Sequence, residues 1–122
     1  MVAWLIATGP NGRWAESILA PESLVAPHHM PAEAANVLRR LVLARDLSSD
    51  SAVSAHEDLI RLGVQLAAYP LHAERVWELR GSLTPFDAWY VALAESLNAP
   101  LVTLDRRLAR ARGPTCDFLL PP

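Results

Sequence analysis

The stretch Leu83-Thr84-Pro85-Phe86-Asp87-Ala88-Trp89-Tyr90-Val91-Ala92-Leu93-Ala94-Glu95, continued by Ala99-Pro100-Leu101-Val102-Thr103-Leu104-Asp105-Arg106-Arg107-Leu108, decides how this chain is read. Thr84 carries the hydroxyl of a helix N-cap, Pro85 suits the first helical position, and Asp87 falls three residues past the cap. Ala88, Val91, Ala92, Ala94 and Leu97 continue the helix, and Asn98-Ala99-Pro100 stops it. Residues 101–104 are a short apolar run that reads as a strand. Asp105 then opens a basic helix that runs to Arg112.

The same alternation extends outward from this stretch. Residues 24–26, between prolines, form a short apolar run expected as a buried strand. A long helix begins near Pro31, with Ala34, Val37, Leu38, Leu41 and Val42 as its apolar stripe. Ser48-Ser49-Asp50 breaks and recaps the chain. Val53, Leu59, Ile60 and Leu62 lie on a second helix that ends at Gly63. Residues 64–67 are strand-like, and a further helix carries Ala73, Val76, Trp77 and Leu79 and stops at Gly81. Phe118-Leu119-Leu120 is a candidate last strand. At the other end, residues 2–7 are an apolar run without a cap, 8–12 a loop and 13–20 a short helix. Short apolar strands alternating with helices predict an α/β fold with a parallel sheet and helices on both faces.

Composition bounds the remaining possibilities. The 122 residues, 52% hydrophobic and 20% charged, fit one globular domain over 1–122 and exclude a disordered chain. The apolar surplus also suits a subunit interface. Cys116 is the only cysteine, so no internal disulfide is available and a reducing, cytoplasmic compartment is expected. No apolar run approaches the roughly 20 residues that span a bilayer. A net charge of −2 excludes a generic nucleic-acid binder, so any nucleic acid must be held by a local basic patch or through a metal.

Glu33, Asp87 and Asp105 each stand in the first turn of an expected helix, and Glu33 and Asp105 also follow strands. In an open parallel sheet, strand C-termini and the following helix N-termini share the edge where ligands bind. The ordinary role of an acid at such a position is to complement the helix dipole. Three of them, with Asp87 in apolar surroundings, favour a shared site. Clustered carboxylates repel, and a divalent ion such as Mg²⁺, which prefers hard oxygen ligands, relieves the repulsion. Other groups point less clearly. His29 and Glu33 have i, i+4 spacing, but no third soft ligand joins them for zinc. His56 and His72 are expected at the surface or an interface. Arg106, Arg107, Arg110 and Arg112 suit a solvated face, phosphate contact or an acidic partner equally well. Trp4, Trp14, Trp77 and Trp89 are expected in the core or at an interface. No phosphate-cradling glycine loop or Ser-His-Asp pattern is present.

The opening stretch closely resembles the C-terminal half of VapC-type PIN-domain toxins. Leu24-Val25-Ala26-Pro27, leading to Glu33-Ala34-Ala35-Asn36-Val37-Leu38-Arg39-Arg40, resembles their first half. The resemblance implies a PIN-like three-layer α/β sandwich and Mg²⁺- or Mn²⁺-dependent cleavage of RNA that inhibits growth. It also implies a cognate VapB-type antitoxin and a homodimer. Glu33, Asp87 and Asp105 match three of the family's acids, and Thr103 matches a polar position beside the last one that orients a water or a carboxylate. Without that role, Thr103 is an ordinary β-branched strand residue. The family begins with a strand ending in an Asp-Ala-Ser-like motif, and Met1 stands where that motif should be ending. A native start upstream of Met1 is the expectation, with a truncated product or a compensating variant as alternatives. The rival to an enzyme is a catalytically weak module that dimerises and binds an antitoxin. A DNA-directed nuclease of the same fold is a third possibility.

Overall fold

The structure, a computed structural model, describes Trp14 and residues 24–122. The expectations for residues 2–7, 8–12 and 13–20 lie outside the described residues, apart from Trp14, which is helical and half-buried. In chain order the elements are β1 (Val25–Pro27), α1 (Met30–Leu43), α2 (Ser49–Arg61), β2 (Gln65–Ala67), α3 (Ala73–Glu78), α4 (Pro85–Leu97), β3 (Leu101–Val102), α5 (Arg106–Ala109) and β4 (Phe118–Leu119). Single 3₁₀ turns at Tyr69–Leu71 and Leu79–Gly81 flank α3. The chain is therefore helix-rich α/β.

Two compact units divide the described residues. Leu24 and His29–Gln65 belong to one, and Val25–His28 with Leu66–Pro122 to the other. In the first, α1 packs against α2. Met30, Ala34 and Leu38 are the buried residues of α1, and Ala55 and Leu59 those of α2. Ser48 caps α2 by accepting from the Ser51 N–H at 3.1 Å, as the break at Ser48 predicted. The helix gives way at Gly63, whose φ of +67° is left-handed and favours glycine. The stripe expected on α2 is only partly buried: Leu59 is inside, but Val53 and Ile60 are 56% and 64% exposed.

In the second unit, α4 is the core. Ala88 and Val91 are fully buried, and Trp89, Ala92, Leu93 and Ala94 are nearly so. Alanines on a helix let neighbouring backbones approach closely, and Val76, Leu79, Leu101 and Leu108 pack into the same cluster. Tyr69 meets Trp89 edge to face at 5.1 Å. Asn98 ends α4 in the left-handed conformation, φ +50°, which asparagine tolerates.

The strands are short and pair in twos among the described residues, β1 with β2 and β3 with β4. In the second pair, parallel register sets Leu101 opposite Phe118 and Val102 opposite Leu119. For β1 and β2, the Gln65 N–H donates to the Leu24 carbonyl at 2.9 Å and the His28 N–H to the Ala67 carbonyl at 3.1 Å. That pairing advances in the same chain direction on both strands, the parallel sense.

Several expectations are corrected. The strand expected over 101–104 is only Leu101–Val102, although the Thr103 N–H still reaches the Leu119 carbonyl at 3.0 Å. The basic helix expected over 105–112 is the single turn Arg106–Ala109. Leu108 is its only buried residue, so little packing rewards a longer run of like charges. His72 is buried, not at the surface. Of the two places expected for Trp77, the core is excluded, since it is 65% exposed.

Candidate active site

Asp105 is braced at the start of α5. Its backbone N–H donates to Thr103 Oγ1 at 3.0 Å, and its Oδ1 accepts from the N–H groups of Arg107 and Leu108 at 2.9 and 3.2 Å. This is an N-cap: β3 ends, the chain turns at an extended residue, and the carboxylate satisfies two donors of α5. Thr103 is 5% exposed, and its own N–H bonds to Leu119. The parallel strand pair thus holds Thr103, and Thr103 holds the backbone of Asp105. Both capping bonds fall on Oδ1, so the other oxygen of this exposed residue is left for a ligand.

Asp87 sits in the first turn of α4, half-buried, and its backbone N–H donates to the Thr84 hydroxyl at 3.3 Å. The cap anticipated at Thr84 is therefore formed. Helix α4 precedes β3 with a tight connection and packs against it.

Glu33 lies in the first turn of α1, in the first unit. Its N–H donates to the His29 carbonyl at 3.0 Å, and its Oε2 lies 3.6 Å from His29 Nε2, the i, i+4 pair seen in the sequence. Among the described residues, no group of three or more His, Cys, Asp or Glu side chains is gathered so as to hold a metal ion. Carboxylate oxygens are the donors a hard divalent cation takes, so the donor chemistry fits Mg²⁺ or Mn²⁺.

Sequence reasoning did not find the strongest charged contact of the second unit. Arg75 on α3 donates from Nε to Glu95 Oε1 at 2.7 Å and from Nη2 to Oε2 at 3.2 Å. Arg75 Nη2 also reaches the Gly113 carbonyl at 2.8 Å, and the Thr115 N–H donates to Glu95 Oε2 at 2.7 Å. The Arg75 guanidinium holds the Glu95 carboxyl below its ordinary range despite partial burial, helped by the Thr115 N–H. The pair fastens the loop between α5 and β4 to the helical core. Its members are far apart in sequence on different helices, so no local pattern announces it. Cys116, on that loop, is half-buried, and desolvation with the nearby Glu95 charge pushes its thiol up, against a thiolate nucleophile.

The family model described as PIN domain matches residues 1–114. VapC ribonuclease Mb0985 of Mycobacterium bovis is 39% identical over 114 residues, covering 92% of this chain and 88% of that protein. Ribonuclease VapC1 of Mycobacterium tuberculosis is 42% identical over 96 residues, covering 78% and 72%. Ribonuclease VapC12 of the same species is 35% identical over 122 residues, covering 95% and 90%. The chain belongs to the PIN-domain family, among the VapC ribonucleases.

Proposed function

We propose that this chain is a metal-dependent endoribonuclease toxin of a type II toxin–antitoxin pair, which hydrolyses RNA phosphodiester bonds and inhibits growth. The observation that carries the reading is the bracing of Asp105: one oxygen and the backbone are fixed by Arg107, Leu108 and Thr103, and the other oxygen is left over. Glu33, Asp87 and Asp105 are the carboxylates assigned to the metal, Mg²⁺ or Mn²⁺. When bound, such an ion supplies charge neutralisation at the phosphate and a water of lowered pKa. Thr103 is a positioning residue that sets the height of Asp105 above the strand end. A single PIN-like domain, a VapB-type antitoxin as partner, a homodimer and a cytoplasmic location complete the reading. Among the described residues no helix is long and apolar enough to cross a membrane.

The test is cleavage of structured cellular RNA with Mg²⁺, with Mn²⁺ and with EDTA. Asp87→Ala is expected to abolish cleavage and growth inhibition while the circular dichroism spectrum is kept. Full activity in that variant removes Asp87 from the site. The second reading, a catalytically weak module that dimerises and binds an antitoxin, is favoured by the lack of a three-donor group among the described residues. Calorimetric titration with Mg²⁺ and Mn²⁺ separates the two. Tight binding lost in Asp87→Ala supports the enzyme, and no binding supports the module.

A further inference from the structure

The pairing of β3 with β4 stops at Asp105, and the way it stops leaves one carbonyl over. The Leu101 N–H donates to the Asp117 carbonyl at 2.9 Å, and the Thr103 N–H to the Leu119 carbonyl at 3.0 Å. Each strand advances by the same step, so the next parallel rung would join the Asp105 N–H to the Pro121 carbonyl. The Asp105 N–H is instead bonded to Thr103 Oγ1 at 3.0 Å, where the chain turns into α5. Pro121 has no N–H of its own with which to carry the ladder on.

Pro121 is buried, where a carbonyl left without a donor is costly. Arg106 supplies the donor: its Nη2 reaches the Pro121 carbonyl at 3.0 Å. A side chain thus takes the place of the backbone rung. It can do so because Arg106 directly follows Asp105 and leaves the strand end with it. Leu119 and Pro121 then grip the chain on either side of Asp105, at Thr103 and at Arg106.

We propose that Arg106 is a positioning residue for Asp105. By holding the Pro121 carbonyl it keeps β4 and the residues after it aligned with the turned end of β3. That alignment preserves the bond from Thr103 to Leu119, and Thr103 in turn holds the Asp105 backbone. Arg106 touches no substrate in this role and acts through the C-terminal segment. The inference rests on the reading of Asp105 as a metal carboxylate. Charge alone predicts the opposite sign. A guanidinium one residue from a cation's ligand repels the cation, so its removal should tighten metal binding. Positioning predicts that its removal weakens binding.

The experiment compares the unsubstituted protein with Arg106→Met, Arg106→Lys and Asp105→Asn. Amide hydrogen exchange is followed by NMR in EDTA, and Mn²⁺ binding by calorimetry on chelator-free protein. In Arg106→Met the Thr103 and Asp105 amides are expected to exchange roughly tenfold faster, with the Val91 and Ala92 amides of α4 unchanged. Mn²⁺ affinity is expected to fall about tenfold, as when a group supporting a metal ligand is lost. Arg106→Lys keeps a cationic donor and should recover most of both. Unchanged exchange at Thr103 and Asp105 in Arg106→Met overturns the proposal. So does acceleration that extends equally through α4, which would make Arg106 a general stabiliser, and so does tighter Mn²⁺ binding. Asp105→Asn tests the reading beneath. If the unsubstituted protein does not bind Mn²⁺, or Asp105→Asn binds it equally well, Asp105 is not a metal carboxylate. The exchange measurements then still decide whether Arg106 holds the corner.

Discussion

At Thr103 a hydroxyl buried beneath the strand end accepts from the next acid's backbone. Thr103→Val keeps the shape and removes the acceptor, leaving the Asp105 N–H without it. A loss of about 1 kcal/mol in urea denaturation is expected, with reduced RNA cleavage, and Thr103→Ser should restore both. Glu95 makes a second prediction at this scale. Its carboxyl is held below its ordinary 4.5 in the folded state, so the stability it contributes is complete above about 4.5. That contribution drains away as pH falls through the lower folded value. Melting temperature should therefore drop on acidification below 4.5, and Glu95→Gln should flatten that part of the profile while lowering stability at neutral pH. The caps at Thr84 and Asp105 were legible because capping is local, a hydroxyl or carboxylate serving donors two or three residues on. The Arg75–Glu95 pair was not legible, because its geometry exists only once α3 and α4 have packed.

Among the elements, α4 was the most legible and the strands the least. A capped start, a left-handed asparagine at the end and a nearly continuous apolar middle define α4 without reference to the rest of the chain. Thr84→Ala removes the side-chain acceptor for the Asp87 N–H and should cost about 1 kcal/mol, measured by chemical denaturation. It should also lower cleavage, since it loosens the turn that carries Asp87. The strands were placed correctly but drawn too long at β3, because apolar runs mark burial better than they mark ladder pairing. The basic helix was drawn too long for a related reason. Its arginines favour helix individually, yet only Leu108 anchors it, and Gly113, at φ +105°, already belongs to the following turn.

For the whole molecule, the α/β class and its parallel strands follow from the order of elements, and membership of the PIN-domain family agrees with it. Whether the acids combine was not legible, since that depends on long-range placement and not on helix starts. Part of the apolar surplus lies in the first unit, where Leu43, Val53 and Ile60 on α1 and α2 are 66%, 56% and 64% exposed. These residues support the proposed homodimer. A Val53→Glu, Ile60→Glu double variant is expected to sediment as a monomer and to keep its helical content, and a dimer that survives it would place the interface elsewhere.

The parallel pairing of β3 with β4 also has a consequence in time. A hairpin closes as soon as its second strand is made, but here α5 and a loop intervene, and translation delivers Thr103 well before Leu119. During synthesis the Thr103–Asp105 corner therefore exists as chain before it exists as structure. The strand pairing that holds Thr103 therefore forms only after Leu119 has been added.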